Sequence, residues 1–254
     1  MDTLLGIPIG VPSLEDAVMD AVSAIESRSR QIVFACANSN SMNVARSDET
    51  FRQALLDADQ LVADGIGVSL VARLARKNVG PRIIGQQYYE AILRKLQARG
   101  HGRVFFFGSS QSVLNLLRQR FTAEYPDLVL SGTISPPFGE WSKQQNDEFI
   151  HTINAANPDV LWVGMTAPKQ EKWVFQNRQR LLVPVIGSIG AVFDFHAGTV
   201  KASPRWIRRC GLEALYRLVA EPKRLWRRVL VSNVNFVRIG LWDEVLGFGR
   251  DRQY

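Results

Sequence analysis

One acidic residue stands where a carboxylate can act as a general base. Asp64 follows a short apolar run and precedes Gly65 and Gly67, which let a substrate approach the backbone closely. A carboxylate in a cleft at a strand end can take a proton from an attacking hydroxyl. The alternative is a turn aspartate that hydrogen-bonds its own backbone, and the spacing alone leaves both interpretations open.

A second segment can hold a phosphate or a hydroxyl group. Pro168 leads into a predicted helix whose first turn contains Lys169, Gln170 and Glu171. Backbone amides at the start of a helix can bind an anion. In the alternative interpretation Glu171 only favours the helix dipole and Trp173 belongs to the core.

A third segment, Gly187 to Asp194, is rich in glycine and contains Gly190. It lacks the Gly-x-Gly-x-x-Gly spacing of dinucleotide-binding proteins and the Gly-Lys-Ser of phosphate-binding P-loops. The sequence therefore argues against a nicotinamide-dependent dehydrogenase and against a P-loop NTPase.

A metal site and a bound cofactor are not expected. Asp57 and Asp59 are a pair of aspartates that could bind a metal ion. Residues two apart on a helix point in different directions, however, which favours a structural role. His101, His151 and His196 lie far apart in the sequence and show no paired-ligand spacing.

Strand and helix patterns alternate along the first 200 residues. Short apolar runs that are typical of buried strands occur at 31–36, 61–63, 103–107, 128–132, 160–163 and 183–186. Helical periodicity occurs after Ser13 and at 49–58, 68–76, 88–99, 113–125, 143–156 and 169–180. This alternation predicts an α/β fold with a Rossmann-like, mostly parallel sheet flanked by helices.

Polar or glycine-bearing segments follow most of the predicted strands. Besides Asp64, Gln170 and the 187–194 segment, the candidate binding residues at these places are Asn38, Asn40 and Gly108. Ligands of such sheets bind beyond the carboxyl ends of the strands, so we expect these residues to gather there.

The basic charge is concentrated at the end of the chain. Residues 1–200 carry 19 basic and 19 acidic residues, whereas residues 201–254 carry 12 basic and 5 acidic residues. We therefore predict a catalytic unit over 1–200 and a basic appendage over 201–254. A solvated face and nucleic-acid binding are alternatives, but apolar residues at helical spacing beside the arginines favour an amphipathic segment on an anionic membrane.

The composition is that of an ordinary globular protein. The chain has 254 residues, of which 46% are hydrophobic and 22% are charged. The two cysteines, Cys36 and Cys210, are too few for a disulfide framework and favour a reducing compartment. Neither a signal peptide nor a membrane-spanning segment is expected. The number of subunits stays open, and a homo-oligomer is one option.

Taken in order, eight segments resemble one family of bacterial glycosyltransferases, the WecG/TagA/CpsF family. They are the strand into Asn38, Ala-Asp-Gly-Ile-Gly around Asp64, Arg82-Ile-Ile-Gly85, 103–108, 157–159, 167–171, 190–198 and 211–224. The resemblance implies an inverting, metal-independent transfer of a sugar from a UDP-sugar to a polyprenyl-diphosphate-linked sugar, in cell-surface polysaccharide synthesis. It also implies an enzyme peripheral to the inner face of the cell membrane.

The resemblance assigns roles to individual residues. Asp64 would be the general base, while Arg82 and Gln170 would line the substrate pocket. The appendage arginines Arg217, Arg224 and Arg227 would meet the lipid diphosphate at the membrane.

Two positions depart from the family pattern. Cys36 stands where threonine is common, and Gln87 where aspartate is usual, so the resemblance does not name the donor sugar. A function of another class, a non-catalytic nucleotide- or nucleic-acid-binding protein with a basic tail, is the alternative. Tight, salt-sensitive binding of oligonucleotides would favour it.

Overall fold

The computed structural model describes residues 1–200 and 231–246, together with Pro204, Tyr216, Leu218 and Trp226. Its strands are β1 (Thr3–Leu4), β2 (Ile7–Pro8), β3 (Ile32–Ala37), β4 (Gln60–Ala63), β5 (Arg103–Gly108), β6 (Val129–Ile134), β7 (Val160–Gly164) and β8 (Val185–Ser188). β1 and β2 form a small antiparallel pair. The other six form one parallel sheet in the order β4-β3-β8-β7-β5-β6.

Helices connect the parallel strands, as parallel pairing requires. They are α1 (Leu14–Ser27), α2 (Ser39–Ala45), α3 (Glu49–Leu56), α4 (Ile66–Leu74), α5 (Gly85–Ala98), α6 (Gln111–Glu124), α7 (Lys143–Ala155), α8 (Lys169–Asn177), α9 (Val192–Ala197) and α10 (Ser232–Gly240). A 3₁₀ turn at Arg178–Arg180 extends α8, and a π-helical turn at Leu241–Val245 extends α10.

Alternate residues of each strand face opposite sides of the sheet and build separate cores. One face packs against α1, α5, α6 and α9, and there the rings of Phe34 and Tyr88 stack with centroids 3.8 Å apart. On the other face α2, α3, α4 and α10 cover the β3–β4 half, and α7 and α8 cover the rest. Both faces of the central strands are therefore buried, which explains their apolar sequences.

The predicted α/β fold is confirmed, and the element bounds lie within a few residues of those expected. Two short helices were not expected. Asn38 caps α2 where the sequence suggested a polar loop, and α9 begins inside the glycine-bearing segment that follows β8. Helices of six or seven residues carry too little periodicity to be recognised in a sequence.

The C-terminal helix α10 packs on the sheet-covering helices instead of standing apart. Phe236 is completely buried in the same core as α2 and α4. Gly240 lies so close to α4 that an added Cβ would come within 2.4 Å of Val71. Residues 231–246 are thus fastened to the unit that residues 1–200 form.

The acidic pair Asp57 and Asp59 holds an arginine. Arg178 donates to Asp57 Oδ2 at 2.7 Å and to Asp59 Oδ2 at 3.0 Å, and Asp59 also accepts from the Val33 amide. These contacts lie at the amino ends of β3 and β4, away from the edge where ligands are expected. They agree with the structural role that the spacing favoured.

We expect Arg178→Gln to lower the free energy of unfolding by about 1–3 kcal/mol, because two partly buried carboxylates lose their shared cation. Arg180→Gln is the matched control, since Arg180 pairs with Asp147 through side chains that are both at least 40% exposed. Such exposed pairs contribute about 0.2–1 kcal/mol. Urea unfolding measures both variants, and equal losses would contradict the role given to Arg178.

Candidate active site

Four neighbouring strands, β4, β3, β8 and β7, bring the main candidate residues to one edge of the sheet. Asp64 follows β4, and its amide donates to Ala37 O at 2.8 Å, beside Asn38 at the end of β3. Gly190 follows β8, and Gln170 lies in the first turn of the helix after β7. The segments that follow these four strands therefore lie along one edge of the sheet, as the sequence predicted.

Asp64 stands between strand and helix, and its side chain is half-buried. Gly65, with φ +97°, makes the turn into α4, and a Cβ there would lie 4.0 Å from the Cβ of Asn38. The positive φ explains the glycine, because other residues are strained in that conformation. The carboxylate is thus held beside the end of β3 and remains accessible from the strand-end edge.

Arg82 lies next to the same strand end. The amide of Ile83 donates to Ala63 O at 3.0 Å, so the segment before α5 runs alongside the last residue of β4. Arg82 as a residue is partly buried. Its backbone therefore lies beside the end of β4, the strand that Asp64 follows.

Asn38 and Asn40 lie at the start of α2, which we call the rim of the site. Asn38 Oδ1 accepts from the amides of Asn40 and Ser41, both at 3.0 Å, and so caps α2. Asn40 Oδ1 accepts from Ser232 Oγ at 3.0 Å, and Asn43 donates to Ser232 O at 2.7 Å. The start of α10 is therefore hydrogen-bonded directly to the rim.

Gln170 joins two strand ends through its side chain. Its Oε1 accepts from the amide of Met165 at 3.2 Å, after β7, and from the amide of Gly190 at 3.0 Å, after β8. Its Nε2 donates to Glu171 Oε1 at 2.8 Å. Gln170 and Glu171 are 4% and 5% exposed, so this network is buried and rigid.

Cys36 lies among the acidic groups of the site. Burial raises the pKa of its thiol, and the nearby carboxylates of Asp64 and Glu171 raise that pKa further. The amide of Gly85, the first residue of α5, donates to the sulfur and opposes this rise. The thiol is therefore neutral at pH 7, and the carboxylates of Asp64 and Glu171 both disfavour its thiolate.

Gln87 has a clear structural role. Its side-chain Oε1 accepts from the Ile84 amide at 3.1 Å, which caps the start of α5. Glutamine departs from the family pattern at this position, but it keeps the Ile84 amide at the start of α5 hydrogen-bonded.

The remaining candidates take mostly backbone or packing roles. A Cβ at Gly108, where φ is +121°, would meet Gly164 O at 2.5 Å, and one at Gly187 would meet the Trp162 ring at 2.3 Å. Asp194, in the first turn of α9, accepts through its carbonyl from the Thr199 amide at 3.1 Å. Substrate contact by these residues stays a prediction. Arg217, Arg224 and Arg227 lie outside the described residues.

The sequence analysis missed Ser232 as a rim residue. The signal that could have found its helix is the pair Phe236 and Gly240, which lie one helical turn apart on the face that packs against α4. Among the described residues, no group of three or more His, Cys, Asp or Glu side chains could hold a metal ion. Within the same part of the chain, no helix has the length and apolar composition to cross a bilayer.

Gln170→Leu should cost about 1–3 kcal/mol in unfolding free energy, because the Met165 and Gly190 amides lose their acceptor. The effect should appear locally as faster hydrogen exchange at the Gly190 amide. Gln144→Leu, at an exposed position on α7 where Gln144 pairs only with Glu148, is the control. Unchanged exchange at Gly190 would show that Gln170 does not hold this strand end.

The Cys36 thiol should react with iodoacetamide at a pH midpoint above that of free cysteine, measured in a Cys210→Ser background. A nearby carboxylate disfavours the thiolate, so Asp64→Asn removes one cause of the raised pKa and should lower the midpoint. Asp127→Asn, three residues after the end of α6 and hydrogen-bonded to Gln97, should leave it unchanged. The same midpoint with and without Asp64 would contradict the convergence of these groups.

Comparison with known proteins identifies the family. A sequence profile of the glycosyl transferase WecG/TagA/CpsF family matches residues 2–248. Proteins named N-acetylglucosaminyldiphosphoundecaprenol N-acetyl-beta-D-mannosaminyltransferase are similar to this chain. Those of Bacillus subtilis and Bacillus spizizenii are 29% and 30% identical over 186 residues, which cover 73% of this chain and 70% of each relative.

The Staphylococcus aureus protein of the same name is 25% identical over 191 residues, 75% of this chain and 73% of the relative. The profile covers nearly the whole chain, including the strand-end residues described above. The chain belongs to the glycosyl transferase WecG/TagA/CpsF family and is a glycosyltransferase.

Proposed function

We propose that this enzyme transfers a sugar from a UDP-sugar to a polyprenyl-diphosphate-linked sugar, in the synthesis of a cell-envelope polysaccharide. The observation that carries the proposal is the position of Asp64 at the carboxyl end of β4, hydrogen-bonded through its amide to the end of β3, in a member of a glycosyltransferase family. The names of the relatives, which specify an N-acetylglucosaminyl-diphosphoundecaprenol acceptor, support the acceptor class. Family membership favours a transferase over the non-catalytic nucleic-acid-binding alternative.

Asp64 is the candidate general base. In a single displacement the acceptor oxygen forms a bond to the anomeric carbon as the bond to the UDP oxygen breaks, and UDP leaves with that electron pair. The acceptor hydroxyl proton passes to the Asp64 carboxylate, and the anomeric configuration inverts. Glu171 is less suited to this step, because it is only 5% exposed and accepts from Gln170.

The leaving diphosphate needs positive charge and hydrogen-bond donors as its own charge develops. Arg82, which lies beside the end of β4, is proposed to supply positive charge to the leaving diphosphate. The resemblance assigns Arg217, Arg224 and Arg227 of the appendage to the lipid diphosphate. In this proposal no metal ion is required. The Gln170 network holds the loop after β8 in position beneath the substrates.

The appendage would bring the enzyme to the cytoplasmic face of the membrane. Residues 201–254 hold 12 basic and 5 acidic residues, which suits an anionic surface. The described part of this region is packed on the body through Phe236, so removal of the appendage would expose Val71 and other core residues. Point variants therefore test the appendage more cleanly than truncation.

We expect Asp64→Asn to reduce turnover by about 10²–10⁴-fold, the usual contribution of a positioned general base. The assay measures UDP release from a panel of UDP-sugars, with and without a short-chain polyprenyl-diphosphate-sugar acceptor. EDTA should not reduce the acceptor-dependent rate. We expect one UDP-sugar of the panel to support the acceptor-dependent rate, and that result identifies the transferred sugar.

Asp147→Asn is the control for loss of a carboxylate, because Asp147 lies on α7 and pairs with Arg180. It should keep the wild-type rate. A folded Asp64→Asn enzyme with near-normal turnover would remove Asp64 from the mechanism.

A further inference from the structure

The outer side of α4 is aliphatic, although this helix directly follows the candidate base. Ile66, Leu70 and Leu74 are 43%, 41% and 47% exposed and lie at i, i+4 and i+8 on one face. Val68 and Val71 on the opposite face are completely buried. The helix therefore has two apolar faces, of which only the inner one is covered by the protein core.

The neighbouring helix presents a similar outer side. α10 is anchored inward by Phe236 and by the close contact of Gly240 with Val71 of α4. Outward, Val234 is 67% exposed, and Trp242 in the following π-helical turn is 53% exposed. Two helices in direct contact thus each expose large apolar side chains, with a tryptophan of the kind found at membrane interfaces.

The charged residues near these side chains include an exposed arginine and two carboxylates that are paired with basic groups. Arg73 is exposed on α4 between Leu70 and Leu74. The acidic residues after α10 are paired with the body, Asp243 with Arg46 at 2.8 Å and Glu244 with Lys77. An aliphatic face flanked by arginine matches the surface of a bilayer that contains anionic lipid.

We propose that the exposed face of α4, formed by Ile66, Leu70 and Leu74, inserts into the interface of an anionic lipid bilayer. The catalytic body would then contact the membrane itself, beside the basic appendage. Because Ile66 is two residues from Asp64, insertion would set the strand-end edge at the bilayer surface. The inference rests on the proposed function only for the identity of the lipid-linked substrate.

The test compares two leucines of equal exposure. Leu70 on α4 and Leu116 on α6 are both 41% exposed, and α6 covers the other face of the sheet. Full-length wild type, Leu70→Ser and Leu116→Ser are sedimented with vesicles of equal parts phosphatidylglycerol and phosphatidylcholine, and with pure phosphatidylcholine vesicles. Melting curves establish that all three proteins are folded.

The proposal expects Leu70→Ser to bind the anionic vesicles roughly tenfold more weakly than wild type, since one buried leucine side chain is lost. Leu116→Ser should bind like wild type, and all three should bind pure phosphatidylcholine weakly. Equal binding by Leu70→Ser and wild type would overturn the proposal. So would a change in the mass of Leu70→Ser by sedimentation equilibrium without vesicles, because the face would then join two copies of the chain.

Activity separates this proposal from the proposed function. Leu70→Ser should keep the wild-type rate with a water-soluble short-chain acceptor and lose rate only with an acceptor embedded in vesicles. An equal loss with both acceptors would overturn the membrane role of Leu70. If wild type transfers no sugar to either acceptor but the vesicle-binding difference persists, the membrane face stands and the proposed function fails.

Discussion

The hydrogen bonds of one buried amide, that of Gln170, connect the strand ends on which the site is built. Its oxygen accepts from the amides that follow β7 and β8, and its nitrogen donates to Glu171. An amide side chain can do both at once, whereas a carboxylate or an aliphatic side chain of similar size cannot. The Gly190 amide, which follows β8, is thus held in place by this side chain.

The parallel sheet allows this arrangement without additional structural elements. In a parallel sheet all carboxyl ends lie on the same edge, so four sequence-distant segments meet without any special loop. Close approach then requires small residues, as at Gly187 under the Trp162 ring and at Gly108 beside the Gly164 carbonyl. The glycines of the site region thus allow close packing, and the chemistry of the proposed mechanism is assigned to Asp64 and Arg82.

Much of the fold could be predicted from the sequence, because a strand buried on both faces needs a continuous apolar run such as that of β5. The position of Asp64 could be predicted for the same reason, since it follows such a run. The grouping of Cys36 with Asp64 and Glu171 could not, because it depends on which strands are neighbours, and periodicity does not contain strand order. The role of Gln170 was also hidden, since a glutamine in a first helical turn is ordinarily exposed.

The C-terminal helix α10 was hard to predict from the sequence, and it connects the rim of the site with the side of α4 proposed to contact lipid. Ser232 is hydrogen-bonded to Asn40, while Phe236 and Gly240 fasten the same helix to α4, which begins two residues after Asp64. A force that moves α10 therefore acts on both the α2 rim and the α4 start. If the acceptor stays in the bilayer, as proposed, that connection is useful, because the proposed lipid-contacting surface and the proposed general base are parts of one packed unit.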